Sequence, residues 1–254
     1  MSSEDDNKTR GAAGGAAGSA ATERAEGTTT AVIIGGTGAL GYGLAVRWAA
    51  AGVAVVIGSR EAERAVEAAE RIRQTVPGAE VEGLDNETAA KRARIVFLTV
   101  PFRAQSETLN NLRYALEPGQ TLVDCTVPLA AAVGGKATRS LVVWQGSAAQ
   151  QAAEMVPSGV AVVAALHTVG APKLADPSAK LDEDVLICGD RKADKAPVAT
   201  LIERIEGLRA VNAGPLEIAR IVEQITPLLI SINVRYKAHA GLKLSGLPDG
   251  DPWG

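Results

Sequence analysis

Between residues 31 and 60 the chain carries two short apolar runs, separated by a glycine-rich turn and a stretch of helical composition. The first run, AVIIG, covers residues 31–35, and the second, VAVVIG, covers residues 53–58. Both have the length and the β-branched content of buried parallel strands. The segment from Gly38 to Ala51 has helical composition and leads to Gly52, a residue typical of helix ends. This order of strand, turn, helix and strand predicts a βαβ unit in a parallel sheet.

The turn inside this unit matches the pattern G-x-G-x-x-G. It consists of Gly36, Thr37, Gly38, Ala39, Leu40 and Gly41. After a buried strand and at the start of a helix, the glycines permit a tight turn, close approach of the backbone to a pyrophosphate, and close helix packing. The unpaired N–H groups at the helix start favour an anion. We therefore predict a dinucleotide site, with a glycine-rich turn that binds no ligand as the alternative.

The second strand is followed by a serine and an arginine where an acidic residue often stands in NAD-binding units. Such an acid hydrogen-bonds the ribose 2′-hydroxyl and would repel a 2′-phosphate. Ser59 and Arg60 instead offer a neutral donor and a cation, and Arg64 lies one helical turn further on. Guanidinium groups suit phosphate recognition, so the sequence predicts NADP as the nucleotide. The alternative is that Arg60 and Arg64 are solvated surface residues.

Strands and helices alternate along most of the remaining chain. Strands are predicted at residues 79–84, 94–100, 120–126, 160–167 and 184–189, and helices at 61–76, 102–116, 147–155 and 216–240, the last kinked at Pro227. We expect an α/β fold, a Rossmann-type doubly wound parallel sheet with a smaller, mainly helical C-terminal domain. The predicted units are a disordered tail at 1–28, an NADP-binding Rossmann domain at 29–168 and a smaller domain at 169–254.

Composition excludes several classes of function. The chain has 26 Lys and Arg against 29 Asp and Glu, so no excess of positive charge is available for nucleic-acid binding. Cys125 and Cys188 are far apart and lie near neither of the two histidines, so we expect reduced thiols and no metal site. No apolar run approaches the roughly 20 residues of a membrane span, and the tail lacks the apolar core of a signal peptide. We therefore expect a cytoplasmic protein with small-molecule partners.

A second ligand should lie in the crevice beyond the carboxyl ends of the strands. Thr99, Val100 and Pro101 end one predicted strand, Pro128 follows the next, and His167 closes another, whereas His239 is expected to be structural or exposed. No Tyr-x-x-x-Lys pair or other obvious acid–base set accompanies them. Hydride transfer between two redox rings needs little protein acid–base chemistry. An NADP-linked reductase of a small imine or hydroxyacid and a non-catalytic NADP-binding redox sensor remain alternatives.

Several motifs together resemble the NADP-dependent reductases of coenzyme F420, an 8-hydroxy-5-deazaflavin, over about residues 31–244. They are IIGGTGALGYGLAVRWA (33–49), VVIGSREAERA (55–65), FLTVPF (97–102), ALHTVGAPKL (165–174), LICGD (186–190) and EGLRAVNAGPLE (206–217). The first two occur in many relatives, and the ALHT and GLRAVNAGPLE segments are the specific ones. The resemblance implies reversible hydride transfer between the deazaflavin and the nicotinamide.

The resemblance also implies roles for individual residues. Those matching Thr37, Ala39 and Leu40 hold the pyrophosphate, and those matching Ser59, Arg60 and Arg64 hold the 2′-phosphate. The stretch from Thr99 through Val100 and Pro101 to Phe102 is similar to the family's nicotinamide wall. A deazaflavin pocket is implied at Val127, Pro128, His167, Val169 and Ala171, with His167 as a positioning residue. The family often has isoleucine-proline where this chain has Val169-Gly170, and it is commonly dimeric, which implies a homodimer with the long helix as the subunit contact.

Overall fold

The computed structural model of the chain describes residues 30–248 and residue 253. The tail predicted at residues 1–28 lies outside the described residues. Within the described part of the chain, no helix combines the length and the apolar character needed to cross a bilayer.

The described residues form eight strands and eight α-helices. The strands are β1 (Thr30–Ile34), β2 (Ala54–Ser59), β3 (Val81–Asp85), β4 (Ile95–Leu98), β5 (Thr121–Asp124), β6 (Ala161–Ala164), β7 (Glu183–Cys188) and β8 (Leu208–Gly214). The helices are α1 (Ala39–Ala50), α2 (Ala62–Thr75), α3 (Asn86–Ala90), α4 (Phe102–Leu112), α5 (Ala148–Met155), α6 (Ala171–Ala175), α7 (Lys192–Glu203) and α8 (Ala219–Tyr236). Short 3₁₀ turns cover Ala130–Val133 and Leu216–Ile218.

All eight strands belong to one sheet in the order β3-β2-β1-β4-β5-β6-β7-β8. The first six are parallel and follow the strand order of a dinucleotide-binding Rossmann sheet, which confirms the predicted fold class. β7 runs antiparallel to β6, and β8 is parallel to β7, so the sheet is parallel only up to β6. The sheet continues without a break past residue 169, and the C-terminal region adds α6, α7 and α8 to it.

The core is aliphatic and rich in alanine, with one aromatic pair at its centre. Trp48 on α1 and Phe97 on β4 are fully buried, with ring centroids 4.6 Å apart. The indole N–H of Trp48 donates to the carbonyl of Leu201 at 2.7 Å, so its polar atom is satisfied. This pair joins α1 to the sheet on one side and to α7 on the other.

Some predicted bounds were wrong. β6 ends at Ala164 and not at His167, because the backbone turns at Leu166, which has a left-handed φ of 69°. α8 begins at Ala219, after a 3₁₀ turn, and ends at Tyr236, where Lys237 adopts a left-handed conformation. Pro227 lies inside this helix.

Candidate active site

The carboxyl ends of five parallel strands meet at one level of the sheet. Their registers pair Ile34 with Gly58 and Leu98, Leu98 with Asp124, and Asp124 with Ala164. Each sequence-predicted site residue belongs to the end of one of these strands or to the segment that follows it. The fold therefore brings these segments to a single edge of the sheet, which is where doubly wound sheets bind ligands.

The glycine turn after β1 is too crowded for side chains at two of its three motif glycines. A Cβ at Gly41 would lie 2.5 Å from Thr99 Oγ1 and 2.7 Å from the Cα of Gly36, and a Cβ at Gly36 would lie 2.9 Å from Ile57. A Cβ at Gly38 would meet only the carbonyl of Gly35, at 3.3 Å. Gly36 and Gly41 thus permit the packing of the turn, while Gly38 leaves its outer surface open to a ligand.

The start of α1 has the geometry of an anion-binding site. Gly38 is the N-cap, no side chain caps the helix, and no acidic residue lies in its first turn. The N–H groups of Ala39, Leu40 and Gly41 have no acceptor within the helix, since the first helical bond runs from Tyr42 N to Gly38 O. Thr37 is half-buried beside them. A pyrophosphate fits these unpaired donors and the positive end of the helix.

Ser59, Arg60 and Arg64 lie at the end of β2 and the start of α2. Ser59 is buried, and its Oγ accepts a hydrogen bond from the N–H of Glu61 at 3.3 Å. Arg60 and Arg64 are exposed. The guanidinium of Arg64 pairs with the carboxylate of Glu61 at 2.9 Å, an exposed pair that the sequence analysis did not foresee. A 2′-phosphate bound here would share Arg64 with Glu61.

Asp85 at the end of β3 is the other acid close to this position, because it lies beside Ser59 in the sheet. Its Oδ1 accepts the N–H of Thr88 at 2.9 Å and caps α3. This capping bond lowers the pKa of Asp85. The carboxylate of Asp85 is therefore held by α3, the helix that it caps, as is usual for an N-cap residue.

Thr99, Val100 and Pro101 lie between β4 and α4, next to the glycine turn. The backbone N–H and the Oγ1 of Thr99 both donate to the carbonyl of Ile34, at 2.9 and 3.0 Å. Val100 is half-buried and packs on Gly35, where a Cβ would lie 2.6 Å from its Cγ1. Pro101 is exposed. These contacts bring the predicted nicotinamide wall against the predicted pyrophosphate turn.

Val127 and Pro128 follow β5 and begin a loop. Pro128 is buried, Val127 is half-buried, and the carbonyl of Pro128 accepts the N–H of Leu141 at 2.6 Å. Thr126, directly before them, is buried and takes part in a polar network with Gln105 and Asp124. The backbone that carries Val127 and Pro128 is therefore fixed by this buried polar network.

His167 is a buried polar residue whose ring lacks hydrogen-bond partners among the described residues. Its side chain is 6% exposed, and among the described residues neither ring nitrogen has a hydrogen-bond partner. Burial lowers its pKa from the ordinary 6.5 to about 4, so the ring is neutral at neutral pH. A neutral imidazole offers one donor and one acceptor. An unpartnered imidazole of this kind fits a polar ring-edge ligand that would satisfy it.

Val169 and Ala171 are placed by the packing of α6 on α1. A Cβ at Gly43 would lie 2.6 Å from the Cβ of Leu174, so this glycine permits the two helices to approach closely. The buried guanidinium of Arg47 donates to five carbonyls at the end of α6 and in the loop after it, those of Lys173, Leu174, Asp176, Pro177 and Ala179. α1, which begins at the glycine turn, therefore also holds the segment that follows His167.

Sequence reasoning missed the residues that support the site from other elements. Thr226 on α8 donates from its Oγ1 to the carbonyl of His167 at 2.9 Å. Glu223, one turn earlier, accepts the N–H groups of Ala148 and Ala149. Neither contact has a local sequence signal, because the partners are 59 to 75 positions apart.

In the described part of the chain, no group of three or more His, Cys, Asp or Glu side chains could hold a metal ion. Cys125 and Cys188 are free and buried. Burial raises the pKa of both thiols, to about 11 for Cys188, which makes them poor nucleophiles.

The fold and the crevice define a Rossmann-type dinucleotide-binding oxidoreductase. A sequence profile described as "NADP oxidoreductase coenzyme F420-dependent" matches residues 30–128. The F420-dependent NADP reductase of Methanothermobacter thermautotrophicus is 42% identical over 85% of this chain and 95% of its own length. That of Methanothermobacter marburgensis is 41% identical over 85% of this chain and 98% of its own length. The chain belongs to the family of F420-dependent NADP reductases.

A solved structure agrees with this assignment. The protein from Arthrobacter sp. FB24, provisionally named an F420-dependent NADP reductase, aligns with a TM-score of 0.68 at 25% identity. The alignment covers 87% of this chain and all of that one. The family resemblance seen in the motifs is thereby confirmed at the level of sequence and of fold.

Proposed function

We propose that this enzyme transfers a hydride reversibly between NADP(H) and coenzyme F420. In the direction of F420 reduction, NADPH gives up a hydride and becomes NADP⁺, and the deazaflavin gains that hydride together with one proton from solvent. NADP(H) supplies the hydride chemistry, and the protein binds and orients the two rings.

The observation that carries this proposal is the shared edge of the sheet. The uncapped start of α1 and the wall at Thr99 lie on it together with the buried, unpartnered imidazole of His167. We assign the pyrophosphate to Thr37, Ala39 and Leu40 and to the three motif glycines. The 2′-phosphate is assigned to Ser59, Arg60 and Arg64, and the nicotinamide to Thr99, Val100 and Pro101.

The deazaflavin is assigned to the other half of the crevice, at Val127, Pro128, His167, Val169 and Ala171. His167 acts there as a positioning residue, because its neutral ring can hydrogen-bond a polar edge of the deazaflavin without bringing a charge. Residues from 169 onward complete this half of the pocket.

A spectroscopic assay tests the proposed reaction against the two alternatives. Purified protein is mixed with NADPH and oxidised F420, and the violet absorbance of the deazaflavin is followed. We expect a fall that requires the protein and is much slower with NADH. Binding of NADPH with no loss of violet absorbance would point to a sensor, and oxidation of NADPH only by a small imine or hydroxyacid precursor would point to the other reductase class.

We also propose that the enzyme is a homodimer joined through the outer face of α8. Ile221, Ile225, Leu228 and Ile232 are spaced by four, three and four residues, the spacing of a helix–helix seam. Ile221 and Leu228 are 54% and 57% exposed. The opposite face of the helix is already buried at Ala219, Val222 and Pro227. A helix apolar on both faces needs a second partner to cover the outer one.

Light scattering tests this assembly. We expect a mass of twice the 26.1 kDa chain and a shift to the monomer when Ile221 and Leu228 are both replaced by lysine. Val66→Lys is a matched control, because Val66 is 50% exposed on the distant helix α2. A monomeric wild-type chain at micromolar concentration would contradict the proposal.

The proposed location is the cytoplasm. The two buried cysteines are free, as expected in a reducing compartment. Cell fractionation checks this: activity in the soluble fraction supports the proposal, and activity outside the cell contradicts it.

A further inference from the structure

We infer that Glu223 is a positioning residue for the deazaflavin half of the crevice: its buried carboxylate joins α8 to the start of α5 and thereby holds the segments that carry Val127 and His167 in their relative places. This inference rests on the proposed assignment of the deazaflavin to these segments. Glu223 acts on that half of the crevice through the backbone, because its carboxylate accepts the N–H groups of Ala148 and Ala149.

The contacts of Glu223 are those of an interhelical cap. Its side chain is 1% exposed, and its two carboxylate oxygens accept the N–H groups of Ala148 at 3.0 Å and Ala149 at 3.1 Å. The Oγ of Ser147 accepts the N–H of Gln150 at 3.0 Å. A side chain from α8 thus completes the cap that α5 begins with its own Ser147. A negative charge is also favourable at the start of a helix.

From the start of α5 the hydrogen bonds lead to the wall formed by Val127 and Pro128. The carbonyl of Ala148 accepts a hydrogen bond from Gln105 Nε2 at 2.9 Å. The same amide group donates to Asp124 and, at 2.9 Å, to Thr126 Oγ1. Gln105 and Asp124 are fully buried, and Thr126 directly precedes Val127. A displacement of α5 would therefore break bonds that fix the end of β5.

From Glu223 a second connection leads along α8 to His167. Thr226, three residues later and on the same side of the helix, donates to the carbonyl of His167 at 2.9 Å. The preceding residue, Leu166, has a φ of 69°, a conformation that is costly for leucine. Backbone in such a conformation persists only when its surroundings hold it. α8, which Glu223 joins to α5, supplies part of that support.

The charge state of Glu223 determines how strong this link is. An ionised carboxylate accepts stronger hydrogen bonds at its two oxygens than a protonated carboxyl group does. Burial raises the pKa of Glu223 to about 8, and the charge of Asp124 on β5 adds to this rise. Cys188 on β7 is the other titratable group that interacts with it, while Glu154 on α5 and Glu217 before α8 are exposed. Both N–H contacts are therefore strongest above about pH 8.

The test is Glu223→Gln, which keeps the shape of the side chain and removes the charge. We expect the KM for F420 to rise by about 10- to 100-fold at pH 9, while the KM for NADPH changes by less than about twofold. The wild-type KM for F420 should fall from about pH 7 to pH 9, one unit on either side of the pKa of about 8, and this dependence should disappear in the variant. Glu217→Gln is the matched control, since it removes an exposed carboxylate beside the same helix.

An unchanged KM for F420 in Glu223→Gln, or an equal rise in both KM values, would overturn the inference. If Glu223→Gln does not fold, Glu223→Asp decides: it keeps the charge but withdraws the carboxylate from the N–H groups of Ala148 and Ala149, and an unchanged KM for F420 in this variant would overturn the inference equally. Failure of the proposed function is distinct, because the wild-type enzyme would then show no turnover of F420 at any pH.

Discussion

The turn after β1 and the segment after β6 occupy the same edge of the sheet, but different elements hold them. The turn from Gly35 to Gly41 is fixed by neighbours along the chain and by two adjacent strands, and its donors are backbone N–H groups. His167 is fixed by Thr226 of α8, and the segment that follows it is held by Arg47 of α1. The nucleotide half is therefore fixed by neighbouring strands of the sheet, and the deazaflavin half depends on how helices α1 and α8 dock.

The largest effect expected from this comparison is at Gly41. In Gly41→Val, the Cβ alone would lie within 2.7 Å of Gly36 Cα and Thr99 Oγ1, which are rigid parts of the turn and of the adjoining wall. We expect the free energy of unfolding to fall by about 3 kcal/mol or more and NADP binding to be lost. Chemical denaturation and NADP titration measure the two effects.

The control for that variant is Gly38→Ala, where the added Cβ would meet only the carbonyl oxygen of Gly35, at 3.3 Å. It should weaken NADP binding with little loss of stability, since Gly38 faces the ligand and not the core. Equal destabilisation by the two variants would contradict the separate roles given to these glycines.

The next effect concerns the deazaflavin half and its dependence on distant elements. Arg47→Ala would leave five carbonyls around α6 without their shared donor. We expect the free energy of unfolding to fall by about 2–4 kcal/mol and the affinity for F420 to fall more than that for NADP. Arg204→Ala is the control, because the exposed Arg204 donates to a single carbonyl, that of Ala51. A similar loss in both variants would remove the special role of Arg47.

A smaller effect tests nucleotide choice. Arg60→Asp replaces an attractive charge beside the 2′-phosphate by a repulsive one, so NADP affinity should fall by about 10- to 100-fold while NAD affinity changes little. Isothermal titration with both nucleotides measures this, with Arg113→Asp on the exposed end of α4 as control. Equal losses for NADP and NAD would contradict the assignment of the 2′-phosphate.

The smallest expected effect is on stability as a function of pH. The folded chain binds the proton of Glu223 more tightly than the unfolded chain, because burial raises its pKa to about 8. Its contribution to stability is therefore complete below the unfolded pKa and is lost as the pH rises through about 8, because the cost of burying the charge exceeds the gain from the stronger N–H contacts. We expect the free energy of unfolding to fall by on the order of 1 kcal/mol between about pH 6.5 and pH 8, and to fall less in Glu223→Gln. Urea titrations at each pH measure the free energy of unfolding. The same change with pH in the wild type and in Glu223→Gln would contradict this expectation.

The same difference between the two halves explains which parts could be predicted from the sequence. The glycine motif, Ser59 and Arg60 are visible because a strand, a turn and a helix follow one another within 30 residues. α7 and β8 were missed, since α7 contains Pro197 and β8 is half-exposed along much of its length. The Arg64–Glu61 pair joins residues three apart and was overlooked although its spacing is a local signal. The contacts of Arg47, Glu223 and Thr226 depend instead on docking geometry that carries no local pattern.

The most direct test of the two-part crevice is a crossed equilibrium titration. NADP⁺ and oxidised F420 are each titrated into Arg60→Asp and His167→Ala, with the wild type measured alongside. We predict that Arg60→Asp loses affinity only for NADP⁺ and that His167→Ala loses affinity only for F420. Loss of both ligands in either variant would contradict the account, because it would mean that the residue supports the fold as a whole and not one half of the crevice.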